Sequence, residues 1–255
     1  MRQTFTALAL TFAMSLVAAS FASAPAWAEL GPIPLEAETD WLFADDGPDP
    51  ADRDPLEPFN RGIFGFNEVV YGWVFDPVAI AYQWVMPGPG RRAVRRFFSN
   101  LTEPVTLVND LLQFRPVKAG SSGARFLINT TAGVGGLFDP AAAWGLEPHT
   151  SGFGGTLAVY RVPSGPYLVV PIMGPSTARD AVGGLVDGVM RPDTWLLAAT
   201  PRLVMAAGSG FSTYDMERER LDALRDTSVD FYAALRSAYL LDRDARIQLL
   251  LASDD

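Results

Sequence analysis

The chain owns one histidine, His149, and no cysteine. Acyl transfer by a serine nucleophile needs a base beside it, and His149 is the one imidazole that can serve. Hydrolases of the strand–turn–helix type carry their serine in Gly-x-Ser-x-Gly, and no serine here has that spacing. A Ser-His-Asp set through His149 stays formally open, without a serine marked out for it. Zinc needs more histidine or cysteine ligands than the chain has. Disulfides, thiolate metal sites and cysteine nucleophiles are excluded outright. No Gly-x-x-x-x-Gly-Lys-Ser/Thr loop occurs, so no nucleotide is expected to drive a reaction. The expectation is a chain with no catalytic residues, no metal and no cofactor: not an enzyme.

Other spacings suggest binding chemistry. Gly90–Phe98 reads GRRAVRRFF. Arg91 and Arg95, and Arg92 and Arg96, are i,i+4 neighbours, so four guanidinium groups share adjacent faces of one helix. With Trp84 and Met86 before them and Phe97 and Phe98 after, they suit an interface, cations on phosphate and rings among acyl chains. The alternative is a solvated basic face paired with Glu103 or with acidic residues near the N-terminus. A second candidate is Asn129–Glu147, where Gly133, Gly135 and Gly136 interrupt a helix and Leu137, Phe138, Trp144 and Leu146 give an apolar face. It reads as a bendable hairpin against an apolar surface or as an ordinary buried loop. A third is Gly152–Asp180, whose Arg179-Asp180 braces a wall or forms a surface pair.

The elements that must position these residues begin after an export signal. Arg2, an apolar run from about Leu8 to Ala19, and Ala26-Trp27-Ala28 predict a signal peptide over residues 1–28, cleaved after Ala28. An uncleaved anchor is the alternative, but the apolar run is shorter than a membrane span. Residues 29–53 are acidic and proline-rich and are expected to be a flexible segment. The net charge of −9 is concentrated there, and the body beyond is close to neutral. No basic-aromatic nucleic-acid footprint appears, so no nucleic-acid partner is expected. The chain is 49% hydrophobic and 19% charged, yet no uncharged stretch of the body is long enough to cross a bilayer, and the longest, Val162–Ala178, is broken by Pro163, Pro166, Pro171 and Pro175. Such a body is either a well-filled globule or a set of short helices lying in one leaflet.

Periodicity predicts helices over Glu57–Phe75, Val78–Val85, Gly90–Phe98, Leu101–Phe114 with Pro104 in its first turn, and Val117–Asn129. Thr227-x-x-Asp230 resembles a capping signal ahead of Phe231, Leu235 and Tyr239 on one face. Propensity alone predicts a strand hairpin over Leu157–Val170, turning at Ser164-Gly165.

Three blocks carry a resemblance: DPLEPFNRGIFGFN (Asp54–Asn67), RFLINTTAGVGGLFD (Arg125–Asp139) and GFGGTLAVYRVPSGPYLVVPIMGPSTARD (Gly152–Asp180). In this order they resemble the MlaA (VacJ) family, with the similarity running from about Asp54 to about Tyr239. The resemblance implies a mainly α fold: a ring-like assembly of short amphipathic helices, a glycine-rich hairpin loop, and little or no sheet. Leu157–Val170 is then expected to be extended without a real sheet. The family domain is placed at residues 54–240, with 241–255 as a C-terminal tail. The resemblance further implies an outer-membrane protein of the periplasmic leaflet. It would take mislocalised phospholipid from the outer leaflet through a channel and pass it to a periplasmic lipid carrier, with a trimeric porin as membrane partner. Asn129, Gly133, Gly135, Gly136, Leu137 and Phe138 would then form the gate. Many such proteins carry a lipidated cysteine after the signal; this sequence has none and is expected not to be lipidated. A periplasmic scaffold that binds a porin without carrying lipid, and an exported lipid hydrolase, are the alternatives.

Overall fold

The computed structural model describes residues 54–252; the expected signal peptide and acidic segment lie outside them. A helical run opens with Pro58 in the first turn of α1 (Glu57–Val70). It continues through a π-helical turn (Tyr71–Phe75) into α2 (Asp76–Val85). The two helices expected at 57–75 and 78–85 are thus joined. Pro77 lacks an N–H and crowds the preceding turn, and the wider turn just before it, where Asp76 N–H reaches the Tyr71 carbonyl, accommodates it.

Next, α3 (Gly88–Leu112) and α4 (Pro116–Thr131) form a helical hairpin closed by Gln113–Arg115. Two helices were expected where α3 is one. Pro104 therefore sits in the helix interior rather than in a first turn. The loss of its hydrogen bond is offset by α3–α4 packing around the buried Glu103–Arg125 pair, 2.8 Å apart. The chain continues through α5 (Pro140–Ala143) and α6 (Phe153–Val159) to β1 (Tyr167–Val170) and β2 (Gly174–Thr177).

The strands pair antiparallel, Tyr167 opposite Thr177 and Val170 opposite Gly174. The expected hairpin at Ser164-Gly165 is not formed, because Phe153–Val159 is helical. The real turn is Pro171–Met173, followed by Gly174 at φ 81°. YLVV is therefore a true strand, contrary to the expectation of extended chain without a sheet. α7 (Ala178–Met190), capped by Thr177 Oγ1 accepting from Asp180 N–H, leads through α8 (Pro192–Leu196) to α9 (Ala199–Thr227) and α10 (Phe231–Ala252). Asp230, not Thr227, caps α10, through Ala233 N–H to Oδ1 at 3.1 Å. α10 runs unbroken past the boundary expected at 240.

What is buried is unusual. Two aromatic-rich clusters exist, one around Tyr71, Tyr214 and Leu235, the other around Tyr167, Tyr232 and Tyr239. Otherwise the helices bury their polar faces. α1 buries Asn60 and Asn67 and exposes Phe59, Phe66 and Val69. α3 buries Asn100, Glu103, Asn109 and Asp110 and exposes Val108 and Leu111. All four tryptophans among the described residues, Trp73, Trp84, Trp144 and Trp195, are at least 68% exposed. Tryptophan is normally well buried, and an exposed set of this kind marks an apolar or interfacial surrounding.

The first and third sequence blocks meet at the sheet. β1 has β2 on one edge and the α1 asparagines on the other. Asn60 Nδ2 donates to the Tyr167 carbonyl at 3.0 Å, and Val169 N–H donates to Asn60 Oδ1 at 2.9 Å. Asn67 repeats the device with the Val170 carbonyl and Ile172 N–H, at 3.0 and 2.6 Å. Two side-chain amides, seven residues apart on one helical face, take the place of a third strand.

Candidate functional site

The helices enclose a cavity of about 640 Å³. α3 contributes Thr102, Val105 and Thr106, and the α3–α4 turn contributes Gln113 and Arg115, with Lys118 just inside α4. The far side comes from His149–Gly152, Gly154 and Gly155, the sheet turn at Met173–Ser176, α7 and the last turns of α10. Five cations, Arg115, Lys118, Arg191, Arg243 and Arg246, line it with two carboxylates, Asp180 and Asp187, while Arg191 is paired with Asp193 and Arg246 with Asp242 just behind the wall. The lining mixes these with Val170, Leu185, Ile247 and Leu250. An amphipathic molecule with an anionic head matches that wall.

Glycine builds part of the wall. A Cβ at Gly183 would collide with the backbone of Gly154, and one at Gly154 with Asp180. α6 and α7 therefore touch backbone to backbone, which only glycine permits. The contact leaves Asp180 against Arg243, with Arg243 Nε to Oδ2 at 2.7 Å and Nη2 to Oδ1 at 2.5 Å. Tyr239 OH donates to the same carboxylate at 3.0 Å. Burial opposes ionisation of Asp180, but the Arg243 guanidinium outweighs it and holds the carboxyl below the usual range. Asp180 thus braces the wall, one of the two readings of Arg179-Asp180; Arg179 itself lies 3.6 Å from it.

His149 meets two polar partners. Its Nε2 lies 2.8 Å from Asp110 Oδ2 and 3.3 Å from Ser122 Oγ. Ser122 donates to Asp110 at 2.9 Å, and Ser151 to the other carboxylate oxygen at 2.5 Å. Serine, histidine and aspartate are together, but not wired for catalysis. A hydrolytic triad uses opposite ring nitrogens for the acid and the serine. Here both contact Nε2, the serine donates to the carboxylate, and Ser122 is fully buried. Burial opposes ionisation of Asp110, yet these hydrogen bonds prevail and lower its pKa. The cluster ties α3, α4 and the 149–151 segment together at the cavity wall.

The gate residues and the basic group singled out in the sequence lie elsewhere. Asn129 is buried; it donates to Asp139 Oδ1 at 2.9 Å and accepts from Ala141 N–H at 3.2 Å. Gly133 and Gly136 are packed: a Cβ would come within 2.5 Å of the Asn129 and Phe138 carbonyls, or of Asn100 Cβ. Gly135 and Gly136 have φ of 71° and 93°. Their N–H groups close the end of α4 on the Thr130 and Asn129 carbonyls at 2.9 and 2.7 Å. These glycines form a tight ending to α4. Leu137 is half-buried and Phe138 exposed, and none of the six lines the cavity. Arg91 pairs with Asp215 of α9 at 3.1 Å, while Arg92, Arg95 and Arg96 are exposed on the outer face of α3. Glu103, a partner only in the alternative reading of the basic group, is committed to Arg125.

The comparisons with known proteins bear on what this arrangement is for. Residues 52–246 match the family described as MlaA lipoprotein. The chain belongs to the MlaA family. It is 36% identical over 200 residues to the intermembrane phospholipid transport system lipoprotein MlaA of Escherichia coli (strain K12), across 75% of this chain and 77% of that protein. The Haemophilus influenzae protein of the same name is 33% identical over 193 residues, covering 73% and 76%. An uncharacterised Rickettsia prowazekii protein is 39% identical over 208 residues, covering 76% and 78%. A solved structure concerned with the maintenance of bacterial outer membrane lipid asymmetry superposes with a TM-score of 0.65 at 34% identity, over 78% of this chain and 98% of that one. MlaA relatives are thus named for intermembrane phospholipid transport, and this chain shares the mainly α fold of the solved structure.

In this MlaA chain the cavity cations Arg115, Lys118, Arg191, Arg243 and Arg246 were not picked out from sequence. Their local sequence gives little sign of the cavity, since Arg191 lies two residues from Asp193 and Arg243 and Arg246 lie in the charged run Asp242–Arg246.

Proposed function

We propose that this chain moves phospholipid through its central cavity, from the outer leaflet of the outer membrane toward a periplasmic lipid carrier, and so maintains lipid asymmetry. It works without covalent chemistry. A charged headgroup crosses hydrocarbon at a cost of several kcal/mol, and a cationic, water-accessible wall inside one leaflet removes that cost. The observation that carries this reading is the inversion of the fold: polar residues of α1 and α3 turned inward, Phe, Val and Trp turned outward, around a cavity lined by Arg and Lys side chains. No helix among the described residues is long and apolar enough to cross a membrane, which fits helices lying in the periplasmic leaflet. The outward belt holds the protein there, a role that matters in a sequence with no cysteine to lipidate. Arg92, Arg95 and Arg96, just past exposed Trp84 and Val85, reach the headgroup phosphates at the belt's edge. Exposed Val134 and Phe138 extend the belt at the end of α4. A trimeric porin would complete the passage to the outer leaflet.

Fractionation of cells expressing the full chain tests the reading. The expected result is outer-membrane recovery that survives a high-salt wash, with phospholipid copurifying in detergent. Trp73→Ser with Trp84→Ser removes two side chains of ~150–250 Å² each, or several kcal/mol of burial apiece, and should shift part of the protein into the wash. Soluble periplasmic recovery of the unaltered chain without lipid would refute the proposal.

A further inference from the structure

The α3–α4 turn holds an orphan acceptor beside two cations. Gln113 is 1% exposed, and its Oε1 has no hydrogen-bond partner. The polarity of its amide is set by a relay. Asn109 Nδ2 donates to Asp187 Oδ1 at 2.9 Å and to the Val105 carbonyl at 3.1 Å, so its Oδ1 is the acceptor. Thr156 Oγ1 donates to that oxygen at 2.8 Å and must therefore accept from Gln113 Nε2, at 3.0 Å. Gln113 Oε1 is left over at the cavity wall. A buried acceptor without a donor is costly unless something supplies one.

The next residue, Phe114, has φ 59°, a region a bulky residue rarely adopts. The strained turn puts the Phe114 ring outside, 75% exposed, while Gln113 and Arg115 on either side line the cavity. Arg115 donates to the Leu250 carbonyl of α10. One turn on, Lys118 is exposed and lines the same wall, in the first turn of α4, where leading amides lack helical acceptors. Val117, between them, is 85% exposed on the apolar side. Within six residues the chain offers cations and amides for a phosphate, an orphan acceptor for a donor, and apolar side chains for acyl tails.

We infer that Gln113, Arg115 and Lys118 form a headgroup subsite that selects phosphodiester lipids whose headgroup carries a hydrogen-bond donor, ethanolamine or glycerol, over choline. Lys118 and Arg115 take the phosphate. Gln113 Oε1 takes the ammonium or hydroxyl hydrogen, which choline lacks. The inference rests on the transport reading above.

The test is competitive retention, by mass spectrometry of the intact full chain in micelles doped equally with dioleoyl phosphatidylethanolamine, phosphatidylglycerol and phosphatidylcholine. The first two are expected to be retained about fivefold over the third, the value of one ordinary hydrogen bond. Gln113→Met, close in volume, is expected to abolish the preference. Lys118→Ala is expected to weaken all three by a common factor. Equal retention of the three lipids by the unaltered chain would overturn the subsite and leave transport standing. A folded Gln113→Met protein that keeps the preference would overturn it as well, and so would a Lys118→Ala protein with retention unchanged. Retention of no phospholipid at all would overturn both readings.

Discussion

Asn60→Ala should be among the most damaging single substitutions in this chain, although it removes only a small polar side chain. Asn60 is fully buried, and its amide satisfies the Tyr167 carbonyl, Val169 N–H and Asp54 Oδ1 at 3.0, 2.9 and 2.7 Å. Asp54 keeps Arg236 and Tyr232 as partners. The two backbone groups keep nothing, and Tyr167 and Val169 are only 1% and 4% exposed. Each stranded group costs about 1–3 kcal/mol, so the expected loss is about 3–5 kcal/mol. At about 2–4 °C per kcal/mol for a chain of this size, the far-UV melting transition in detergent should fall by roughly 10–15 °C. Asn67→Ala breaks the equivalent pair of bonds, but Val170 and Ile172 are only half-buried. Water can replace the amide there, and about 1–2 kcal/mol is expected. If Asn60→Ala melts within about 1 kcal/mol of the unaltered protein, or if Asn67→Ala costs as much, the asparagines are not acting as a surrogate strand.

Gly136→Ala and Gly133→Ala should each destabilise by about 1–3 kcal/mol, because a Cβ would sit 2.5 Å from Asn100 Cβ or from two backbone carbonyls. Gly65→Ala, with nothing within 4 Å of its Cβ, should be neutral or stabilising by up to ~1 kcal/mol; equal melting points for the three would show that the glycine turn is loose. Acid should weaken the cavity wall through Asp180. Its folded pKa lies below its unfolded value near ~3.9, so its contribution is complete above that value and is lost as pH falls through the lower, folded one. Asp180→Asn should therefore melt lower at pH 7 and show a shallower decline between about pH 5 and pH 2; an unchanged acid slope would show that the Arg243 pair carries no such linkage.

Much of the helical layout was legible in the sequence, and the direction of the helices was not. Phe59, Ile63 and Phe66 recur at the spacing of one face, and α1 is indeed a helix. Periodicity gives an axis without a sign, however. In water the Phe face would turn inward; here Asn60 and Asn67 do. Only the family resemblance supplied that sign. The strand was missed for a related reason. TLAV and YLVV have similar propensities, and what decides between them is a partner: YLVV lies between Gly174–Thr177 and the α1 asparagines, while Thr156 packs against Asn109 and Gln113 as part of a helix. The cavity was illegible because its walls are assembled across the chain. Asp180 and Arg243 are 63 residues apart, Arg115 and Leu250 are 135 apart, and no local spacing announces either pair.

The inverted fold also changes what stability means for this protein. A polar interior gains little from the hydrophobic effect, so its groups must satisfy one another nearly completely. Arg125 shows the standard required: its guanidinium reaches Glu103, Asp139 and the Leu146 carbonyl at 2.8, 3.1 and 2.5 Å, joining α3, α4 and the segments on either side of α5. Such an interior is a poor driving force in water, where each of these groups would be solvated as well in the unfolded chain. In hydrocarbon the comparison reverses, because an open chain has no water to turn to and the outward Phe, Val and Trp lose nothing by facing lipid. The arrangement that stabilises the fold in a leaflet is therefore the one that leaves a cationic wall at its centre. On the transport reading proposed above, embedding and headgroup passage depend on the same inversion, and a substitution that restores an ordinary apolar core should weaken both together.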